Sequence, residues 1–310
     1  MAKYIVTGGA GFIGAHLTKR LLNEGHSVVS VDSLSTGQTQ NIDPKADFIE
    51  GDISDKRFVF SLPVEGVKGV FHLAAQSSGE ISFENPLRDL EINAGGTLLL
   101  LDWCRKNRVP RFIFSSSMGV YGTESDKALS EDSPKSPKSF YGAAKLAAEN
   151  YINIYSGLGV ETTVIRLFNV YGPFQNMENT KQGMASIYMS YILKDEPITV
   201  KGSMDRFRDQ TYIGDVIEGI ISCLCNPVSI GKTYNIATGK KSTVRELLKA
   251  MLKASGKPAD YPVKIIGGTP GDIFGCYADI SKAKTELEWS PRYGLEDGLR
   301  EMYRHYSVKR

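Results

Sequence analysis

The sequence predicts an α/β fold: a Rossmann-type, doubly wound parallel sheet with a smaller α/β substrate-binding lobe. Two observations predict it. Short runs rich in β-branched residues alternate with segments of helical apolar spacing through the first half of the chain, and a glycine-rich turn directly follows the first run. Because parallel strands need long crossovers, such alternation indicates one sheet with helices on both of its faces.

The predicted elements follow one another without internal repeats or a long low-complexity linker. The first run is short and apolar, as expected of a buried parallel strand, and from Phe12 apolar residues recur at helical spacing. The Ala-rich composition after residue 140 favours another helix. The predicted strands are 3–7, 27–31, 47–50, 69–73, 111–115 and 161–166, and the predicted helices are 12–24, 86–107 and 140–156.

The second half of the chain loses this strict alternation, and a strand-like run at 233–236 then indicates a return to the sheet. We therefore predict a Rossmann domain over 1–173, to which 211–236 returns. The lobe is predicted over 174–210 and 237–310.

Gly8, Gly11 and Gly14 lie where the first strand passes into the first helix. Missing side chains let the backbone approach a pyrophosphate there, and the helix N-terminus offers free N–H groups. An ordinary glycine-rich turn is the alternative, but Asp32 ends the second strand about twenty residues on, where an acid binds the ribose hydroxyls. This carboxylate repels a 2′-phosphate, and 33–37 contains no Arg or Lys, so the pattern predicts NAD rather than NADP.

Tyr141 and Lys145 lie one turn apart in a predicted helix, after a serine run at 115–117. An ammonium near a phenol favours the phenolate, so the spacing predicts a lowered tyrosine pKa and a group suited to general acid–base catalysis. An exposed amphipathic helix also produces this spacing by chance. The dinucleotide turn and the serine-ended strand favour the catalytic interpretation.

Composition argues against several function classes. Among 310 residues, 37 Lys or Arg and 35 Asp or Glu give a net charge of +2, which provides no basic stripe for nucleic acid. The apolar stretches are too short to span a bilayer, and Met1 stands almost directly before the first strand, leaving no room for a signal peptide. We expect no nucleic-acid or membrane partner and a cytoplasmic location.

The four cysteines fit that location as reduced thiols. Cys223 and Cys225 are close in sequence, but no second cysteine or histidine pair lies nearby. Packing within an apolar helix is therefore favoured over a metal site, and no metal is predicted.

Ordered motifs along essentially the whole chain resemble the extended short-chain dehydrogenase/reductase family, specifically its NAD-dependent nucleotide-sugar epimerase and dehydratase branch (UDP-glucose 4-epimerase-like). Chance does not explain so many matches in the same order. The motifs are Thr7-Gly8-Gly9-Ala10-Gly11-Phe12-Ile13-Gly14, Gly51-Asp52-Ile53, His72-Leu73-Ala74-Ala75-Gln76, Asn93-Ala94-Gly95-Gly96-Thr97, 114–122, 166–173, 208–216 and Pro270-Gly271-Asp272.

The resemblance implies Ser117, Tyr141 and Lys145 as catalytic residues. Ser117 would hydrogen-bond the oxygen that becomes a carbonyl, Tyr141 would take its proton, and Lys145 would bind the nicotinamide ribose and hold Tyr141 ionised. The implied cofactor-binding residues are Gly8, Gly11, Phe12, Ile13, Gly14, Asp32, Ser33, Ser35, Thr36, Asp52, Ile53, Leu73, Ala74, Ala75, Asn93, Ser115, Tyr141 and Lys145.

A nucleotide-diphosphate sugar is the substrate that the resemblance implies. It places Arg208 and Asn169 on the phosphates and Asp272 on the nucleotide ribose, with Gln76 and Ser117 also binding substrate. The family commonly has Arg-Pro-Gly-Asp where this chain has Thr-Pro-Gly-Asp at 269–272. The lost guanidinium leaves the identity of the nucleotide open.

Cys276 falls where sugar epimerases place a residue that limits substrate size, often Tyr in glucose-restricted forms. A smaller side chain there would leave space for an N-acetyl group. The alternative interpretation, given the same weight, is that Cys276 is a small apolar residue of the core.

Met118 and Gly119 follow Ser117, whereas the 4,6-dehydratases of the family carry Asp-Glu at these positions. Neither residue can carry a proton, which favours oxidation at C4, rotation of the 4-keto sugar and hydride return to its other face. We expect an NAD-dependent 4-epimerase of UDP-glucose/galactose or of a UDP-N-acetylhexosamine. The alternatives are an oxidoreductase or dehydratase of another nucleotide sugar, and a non-catalytic NAD sensor, which has no need for all three catalytic residues.

Helices 86–107 and 140–156 pair across a two-fold axis in this family, so the resemblance implies a homodimer. Both carry apolar residues beyond one face, such as Leu98 and Tyr151, although a buried helix shows the same pattern. The polar stretch 123–139 is interpreted equally as a surface loop and as a flap beside the sugar.

Overall fold

The computed structural model describes residues 1–179, 181, 183–268 and 273–308. The strands are β1 Lys3–Thr7, β2 Ser27–Asp32, β3 Asp47–Glu50, β4 Val67–His72, β5 Arg111–Ser117, β6 Glu161–Leu167, β7 Asn169–Tyr171, β8 Ile198–Lys201, β9 Phe207–Arg208, β10 Gln210–Tyr212, β11 Lys232–Ile236, β12 Ser242–Thr243 and β13 Val263–Ile266. The α-helices are α1 Phe12–Asn23, α2 Lys56–Phe60, α3 Gly79–Glu84, α4 Pro86–Leu90, α5 Thr97–Lys106, α6 Phe140–Gly157, α7 Met184–Leu193, α8 Ile213–Cys225, α9 Val244–Ser255, α10 Ser281–Glu286 and α11 Leu295–Ser307.

Seven strands form one parallel sheet in the order β11-β6-β5-β4-β1-β2-β3. The chain runs outward from β1 to β3, returns to the other side of β1 with β4, and then continues outward. A doubly wound sheet has its ligand crevice at such a reversal, here between β1 and β4. The predicted Rossmann-type fold is confirmed, and each predicted strand is present with its ends shifted by at most two residues.

Both faces of the sheet are covered. Successive strand side chains point to opposite faces, so neighbouring residues of β1 enter different cores. Ile5 packs in the cluster that contains Trp103 of α5 and Ile152 of α6, whereas Val6 packs in the cluster that contains Leu17 of α1. All five side chains are fully buried, and each such burial contributes about 1.5–3 kcal/mol.

The predicted helix 86–107 is interrupted rather than continuous. Between α4 and α5, residues Glu91–Gly96 form a π-helix. Gly96 closely approaches the loop after β3, since a Cβ there would lie 2.8 Å from Cδ1 of Ile53. Apolar spacing alone does not reveal a π-helix, because the inserted residue changes the period only locally.

The second half of the chain builds three two-stranded ladders beside the sheet: β7 with β10, β8 with β13 and β9 with β12. Helix α8 packs on α1, and α9 packs on α11. One apolar cluster runs through all four helices and contains Leu17, Val216, Leu248 and Met302. The sheet and the ladders therefore share a continuous core.

Within the described part of the chain, no helix has both the length and the apolarity that crossing a bilayer requires.

Candidate active site

A cavity of about 970 Å³ lies at the carboxyl ends of the parallel strands. Residues that follow β1, β2, β4 and β5 line one side, and residues of α7 and β8 line the other. All three predicted catalytic residues line it, as do all predicted cofactor residues except Asn93. Among the predicted substrate residues, Gln76, Ser117, Asn169 and Arg208 also line it.

The glycine turn after β1 is a backbone cradle that only glycine permits. Gly8 has φ +74°, and a Cβ on it would lie 2.8 Å from the backbone nitrogen of Ala74. A Cβ on Gly14 would collide with the carbonyl oxygen of Gly8. This close packing leaves the N-terminus of α1 open to the cavity, as a dinucleotide pyrophosphate requires, so the residues fit the predicted NAD.

Asp32 ends β2 at the cavity wall. Its carboxylate accepts the N–H of Ala10 at 3.0 Å and the N–H of Leu34 at 2.9 Å. These bonds tie the acid to the glycine turn on one side and to the loop 33–37 on the other. The position next to the cradle fits an acid that binds ribose hydroxyls.

Asp52, after β3, is held by Ser54 and by an ion pair with Arg88 of α4. Burial favours the protonated carboxyl, but the hydrogen bonds from Ser54 and Arg88 outweigh it and hold the pKa of Asp52 below its ordinary value. Arg88 also lines the cavity, and the sequence analysis did not single it out.

Ser117 and Tyr141 lie side by side at the cavity wall, because a Cβ on Gly119 would lie 3.5 Å from Oγ of Ser117 and 3.6 Å from Cδ1 of Tyr141. Ser117 is the last residue of β5, and its hydroxyl accepts the N–H of Gly119 at 3.1 Å. Tyr141 lies in the first turn of α6, which begins where the Ser139 hydroxyl accepts the N–H of Gly142 at 3.1 Å. The strand end and the helix cap thus place the two hydroxyls side by side.

Lys145 lies one turn further along α6 and is 2% exposed. Its Nζ donates to the carbonyl oxygen of Ser115 at 2.9 Å and lies 4.5 Å from the ring centroid of Phe114. The distance from Nζ to the ring centroid of Tyr141 is 6.0 Å. The structure therefore brings the three predicted catalytic residues together at the end of β5.

The direction of the Tyr141 pKa differs from the expectation. The sequence predicted a lowered pKa, but burial raises the pKa of Tyr141 to about 12, against the neighbouring Ser117 hydroxyl, which lowers it. Burial also lowers the pKa of Lys145 to about 7, although Asp89 and Glu149 oppose this. Desolvation disfavours both charged forms, and spacing along a helix gives no information about it.

Asn93 is not among the residues that line the cavity, and its predicted place on the cofactor stays a prediction. It is 1% exposed and lies behind the wall, where its Nδ2 donates to the carbonyl oxygen of Gln76 at 2.9 Å and to Oδ1 of Asp89 at 3.0 Å. Gln76 itself lines the cavity and donates to the same Asp89 oxygen at 2.8 Å. Asn93 therefore supports the cavity wall through Gln76.

Arg208 reaches the cavity while its guanidinium holds a neighbouring loop. It donates to the carbonyl oxygens of Phe207, Ile273 and Phe274 at 2.7, 2.8 and 3.1 Å. Burial lowers the pKa of Arg208 to about 10, and the nearby Arg206 guanidinium lowers it as well. The predicted Asp272 and the departure at 269–272 lie outside the described residues.

A second arginine, Arg206, also lines the cavity and was missed by the sequence analysis. The sequence could have indicated it, because residues two apart on an extended segment point to the same face. Arg206 is therefore expected on the same face as Arg208. Asn169, a predicted phosphate contact, lines the cavity, and its buried Oδ1 has no hydrogen-bond partner among the described residues. That oxygen can accept a hydrogen bond from a ligand.

Cys276 is fully buried and is not among the residues that line the cavity. Its Sγ lies 3.9 Å from Sδ of Met118, which does line it. The side chain belongs to an apolar cluster with Tyr121 and Phe168. The structure therefore places Cys276 one side chain behind the cavity wall, and its effect on substrate size stays a prediction.

The polar stretch 123–139 packs on another segment at one end and reaches the cavity at the other. Its first part packs on the segment 275–279, because Ser125 N–H donates to the carbonyl oxygen of Gly275 and Leu129 N–H to that of Tyr277, each at 2.9 Å. Its end, with Lys138 and Ser139, lines the cavity.

The chain is similar to known proteins in its family model, in its sequence and in its fold. The model of the NAD-dependent epimerase/dehydratase family matches residues 4–237. A putative UDP-glucose 4-epimerase of Methanocaldococcus jannaschii is 36% identical over 300 residues, covering 96% of this chain and 95% of that protein.

Solved structures agree in fold over the whole chain. A UDP-glucose 4-epimerase of Thermotoga maritima with UDP-glucose has a TM-score of 0.94 and 33% identity and covers 99% of both chains. A dTDP-glucose 4,6-dehydratase of Streptomyces venezuelae with NAD bound has a TM-score of 0.91 and 28% identity, covering 99% of this chain and 98% of that one.

The fold, the glycine cradle and the Ser-Tyr-Lys site define an NAD-dependent enzyme of the short-chain dehydrogenase/reductase type. The chain belongs to the NAD-dependent epimerase/dehydratase family. The predicted family and the predicted cofactor, NAD, are confirmed.

Proposed function

We propose that the chain is a 4-epimerase of UDP-hexoses that acts on UDP-glucose and UDP-galactose, or on their N-acetylated forms, through a transient 4-keto sugar. The observation that carries the proposal is the cluster of Ser117, Tyr141 and Lys145 in the cavity of the glycine cradle, with Met118 and Gly119 beside it. Epimerisation at C4 needs one acid–base group and one hydride carrier. Neither Met118 nor Gly119 adds the further acid or base that loss of water requires.

In the proposed cycle, Tyr141 removes the proton of the C4 hydroxyl while Ser117 hydrogen-bonds the same oxygen. Bound NAD supplies the hydride acceptor and, when oxidised, a positive charge that favours the phenolate form of Tyr141. After the 4-keto sugar has turned its other face, the hydride would return to C4 and Tyr141 would return the proton to the C4 oxygen. Such positioned proton transfer typically contributes about 10²–10⁴ in rate.

The nucleotide sugar would lie between the Rossmann domain (1–173 with 211–236) and the lobe (174–210 and 237–310). On the lobe side, Arg206 and Arg208 supply guanidinium groups for the diphosphate, which suits their planar, bidentate geometry. Asn169 and Gln76 would hydrogen-bond the diphosphate and sugar. Arg206 would compensate for the guanidinium that the chain lacks at Thr269.

The rival activities differ by residues rather than by fold, since an epimerase and a dehydratase both superpose closely on this chain. A dehydratase would need proton-transferring side chains where Met118 and Gly119 stand. A non-catalytic NAD sensor would have no need for Ser117, Tyr141 and Lys145 in one cluster.

The test is incubation of the purified protein with UDP-glucose, UDP-galactose, their N-acetylated forms, and GDP- and CDP-linked hexoses. Products are read by NMR, and NADH is read by absorbance. The proposal expects the same mixture of C4 epimers from either starting sugar, with no net NADH. Stoichiometric NADH would assign an oxidoreductase, a 4-keto-6-deoxy product would assign a dehydratase, and NAD binding without conversion would assign a sensor.

We further propose that the protein is a homodimer joined through α4, α5 and α6. Large apolar side chains stand exposed on these helices: Leu87 is 71% exposed, Leu90 52% and Ile154 60%. A group of exposed apolar side chains on adjacent helices is typical of a protein interface. Burying this face against a second copy is therefore favourable.

The protein is also proposed to be cytoplasmic. All four cysteines are free thiols, and Cys104, Cys223 and Cys276 are buried. Unpaired cysteines fit a reducing compartment.

A further inference from the structure

Asp89, on α4, is fully buried beside the catalytic residues, and the proposed cycle does not use it. Its Oδ1 accepts hydrogen bonds from Gln76 and Asn93. Its Oδ2 is buried with no hydrogen-bond partner in the described part of the chain. Burying an unpaired carboxylate oxygen is strongly unfavourable unless a nearby cation compensates. Such a group therefore indicates a cation within reach or a function that retains it.

The buried cation on the neighbouring helix is Lys145, which is 2% exposed. Helix α4 packs against α6, which carries both Tyr141 and Lys145. Burial raises the pKa of Asp89, whereas its two hydrogen bonds and the charge of Lys145 lower it. Asp89 in turn raises the pKa of Lys145 against burial, and it adds to the raised pKa of Tyr141.

The other ionisable groups around Lys145 are already engaged. Glu149, on α6, also acts on Lys145, but its oxygens accept hydrogen bonds from Arg166 and Ser116. His72, on β4, is fully buried, and burial and the charge of Lys145 hold its pKa well below the ordinary value, so it is neutral. Asp89 is thus the carboxylate with an unengaged oxygen among the charged groups that act on Lys145.

We propose that Asp89 is a positioning residue that holds Lys145 protonated and sets the pH range in which Tyr141 and Lys145 work. The same carboxylate fixes Gln76 at the cavity wall, both directly and through Asn93. The effect on the pH range of catalysis rests on the proposed function. The effect of Asp89 on the charge of Lys145 does not depend on which reaction the protein catalyses.

Asp89→Asn removes the charge and keeps the shape of the side chain. Without the carboxylate, the Lys145 ammonium is less stabilised and the Tyr141 phenolate is less disfavoured, so both groups lose their protons at lower pH. Both limbs of the pH profile of kcat/KM are expected to move down by roughly one pH unit. Glu91→Gln is the matched control, because it removes the same charge two residues on, where the side chain is 62% exposed and screened by water and salt. Its profile should match wild type.

A second readout needs no turnover. In lysine-labelled protein, the ¹³Cε resonance of Lys145, assigned through Lys145→Arg, should titrate near neutral pH, far from exposed lysines at about 10.4. Asp89→Asn should move that titration down by roughly one unit, and the conservative Asp89→Glu should keep it near wild type. Because this signal is independent of catalysis, it stays informative if the protein proves not to be an epimerase.

Two results would overturn the inference. One is an unchanged Lys145 titration in Asp89→Asn that folds and binds NAD. The other is loss of the fold in Asp89→Asn and in Asp89→Ser but not in Asp89→Glu, which would assign Asp89 a structural role only.

Discussion

Glu149 and Arg166 form a buried bidentate ion pair, with Arg166 Nη2 2.7 Å from Oε2 and Nε 3.0 Å from Oε1 of Glu149. The two side chains are 5% and 3% exposed. The same carboxylate accepts the Ser116 hydroxyl at 2.5 Å. Glu149 therefore ties α6, which carries Tyr141, both to β6 through Arg166 and to the strand that ends at Ser117 through Ser116.

Arg166→Ala should destabilise the protein by about 3–5 kcal/mol, because Glu149 would be left as a buried unpaired charge. The measurement is urea unfolding at saturating NAD. Arg245→Ala is the control: it breaks the exposed pair with Asp205, whose side chains are 66% and 69% exposed, and should cost about 0–1 kcal/mol. Equal losses in the two variants would contradict the prediction.

Tyr141→Phe should lower kcat by about 10²–10⁴ while NAD binding and the fold are kept, since the variant lacks only the proton-transferring hydroxyl. Turnover of the best substrate and NAD content after purification are the measurements. Tyr155→Phe, which removes a hydroxyl from the same helix away from the cavity, should keep wild-type turnover. A Tyr141→Phe enzyme with a tenth of wild-type turnover or more would show that the base is another group.

His72 makes stability depend on pH in a definite direction. It is fully buried, its two ring nitrogens lie 2.8 and 3.0 Å from the hydroxyls of Thr7 and Thr97, and its pKa is well below the ordinary value because of burial. The folded state therefore keeps His72 neutral while the unfolded chain takes up a proton below about pH 6.5. The contribution of neutral His72 to stability is therefore present above that pH and is lost as the pH falls below it.

His72→Gln isolates this contribution, because the other titrating groups stay the same. Between about pH 7.5 and 5.5, the unfolding free energy of wild type should fall by about 1.4 kcal/mol more than that of the variant. Urea unfolding at several pH values gives the difference. Parallel pH curves for the two proteins would mean that His72 does not remain neutral in the folded state.

Much of the fold could be predicted because its signals are local. Most strands of the parallel sheet contain a short apolar run, and Gly8 and Gly14 mark in the sequence where the backbone of the cradle must pass close to its neighbours. The π-helix at 91–96 could not be predicted, since an inserted residue changes the apolar period only locally.

The sequence predicted which residues form the catalytic cluster better than it predicted their pKa values. Ser117, Tyr141 and Lys145 do meet, because strand ends and helix starts share one edge of the sheet. The raised pKa of Tyr141 follows from burial, and burial depends on packing by distant segments. For the same reason Asn93 and Cys276 lie one side chain behind the wall, where sequence position alone cannot place them.

The proposed dimer face can be tested by adding charge to it. Leu87→Glu combined with Ile154→Glu should convert a dimer of 34.1 kDa chains into monomers, because a buried unpaired carboxylate is strongly unfavourable. Light scattering at micromolar concentration gives the mass. Val308→Glu, at a site 80% exposed near the C-terminus, should leave the dimer intact. A monomeric wild-type protein would refute the proposal.

The last prediction concerns Cys276 and the size of the sugar. Cys276 is packed against Met118, so Cys276→Tyr should push the Met118 side chain into the cavity beside Ser117. Overpacking of this kind costs about 1–3 kcal/mol. The larger N-acetylated sugar should suffer most, and the ratio of kcat/KM for plain over N-acetylated UDP-hexose should rise at least about tenfold. Cys276→Ala, which adds no volume, should keep the wild-type ratio. If Cys276→Tyr folds and the kcat/KM ratio is unchanged, residue 276 belongs to the core alone. In that case a larger side chain at 276 does not push Met118 towards the substrate.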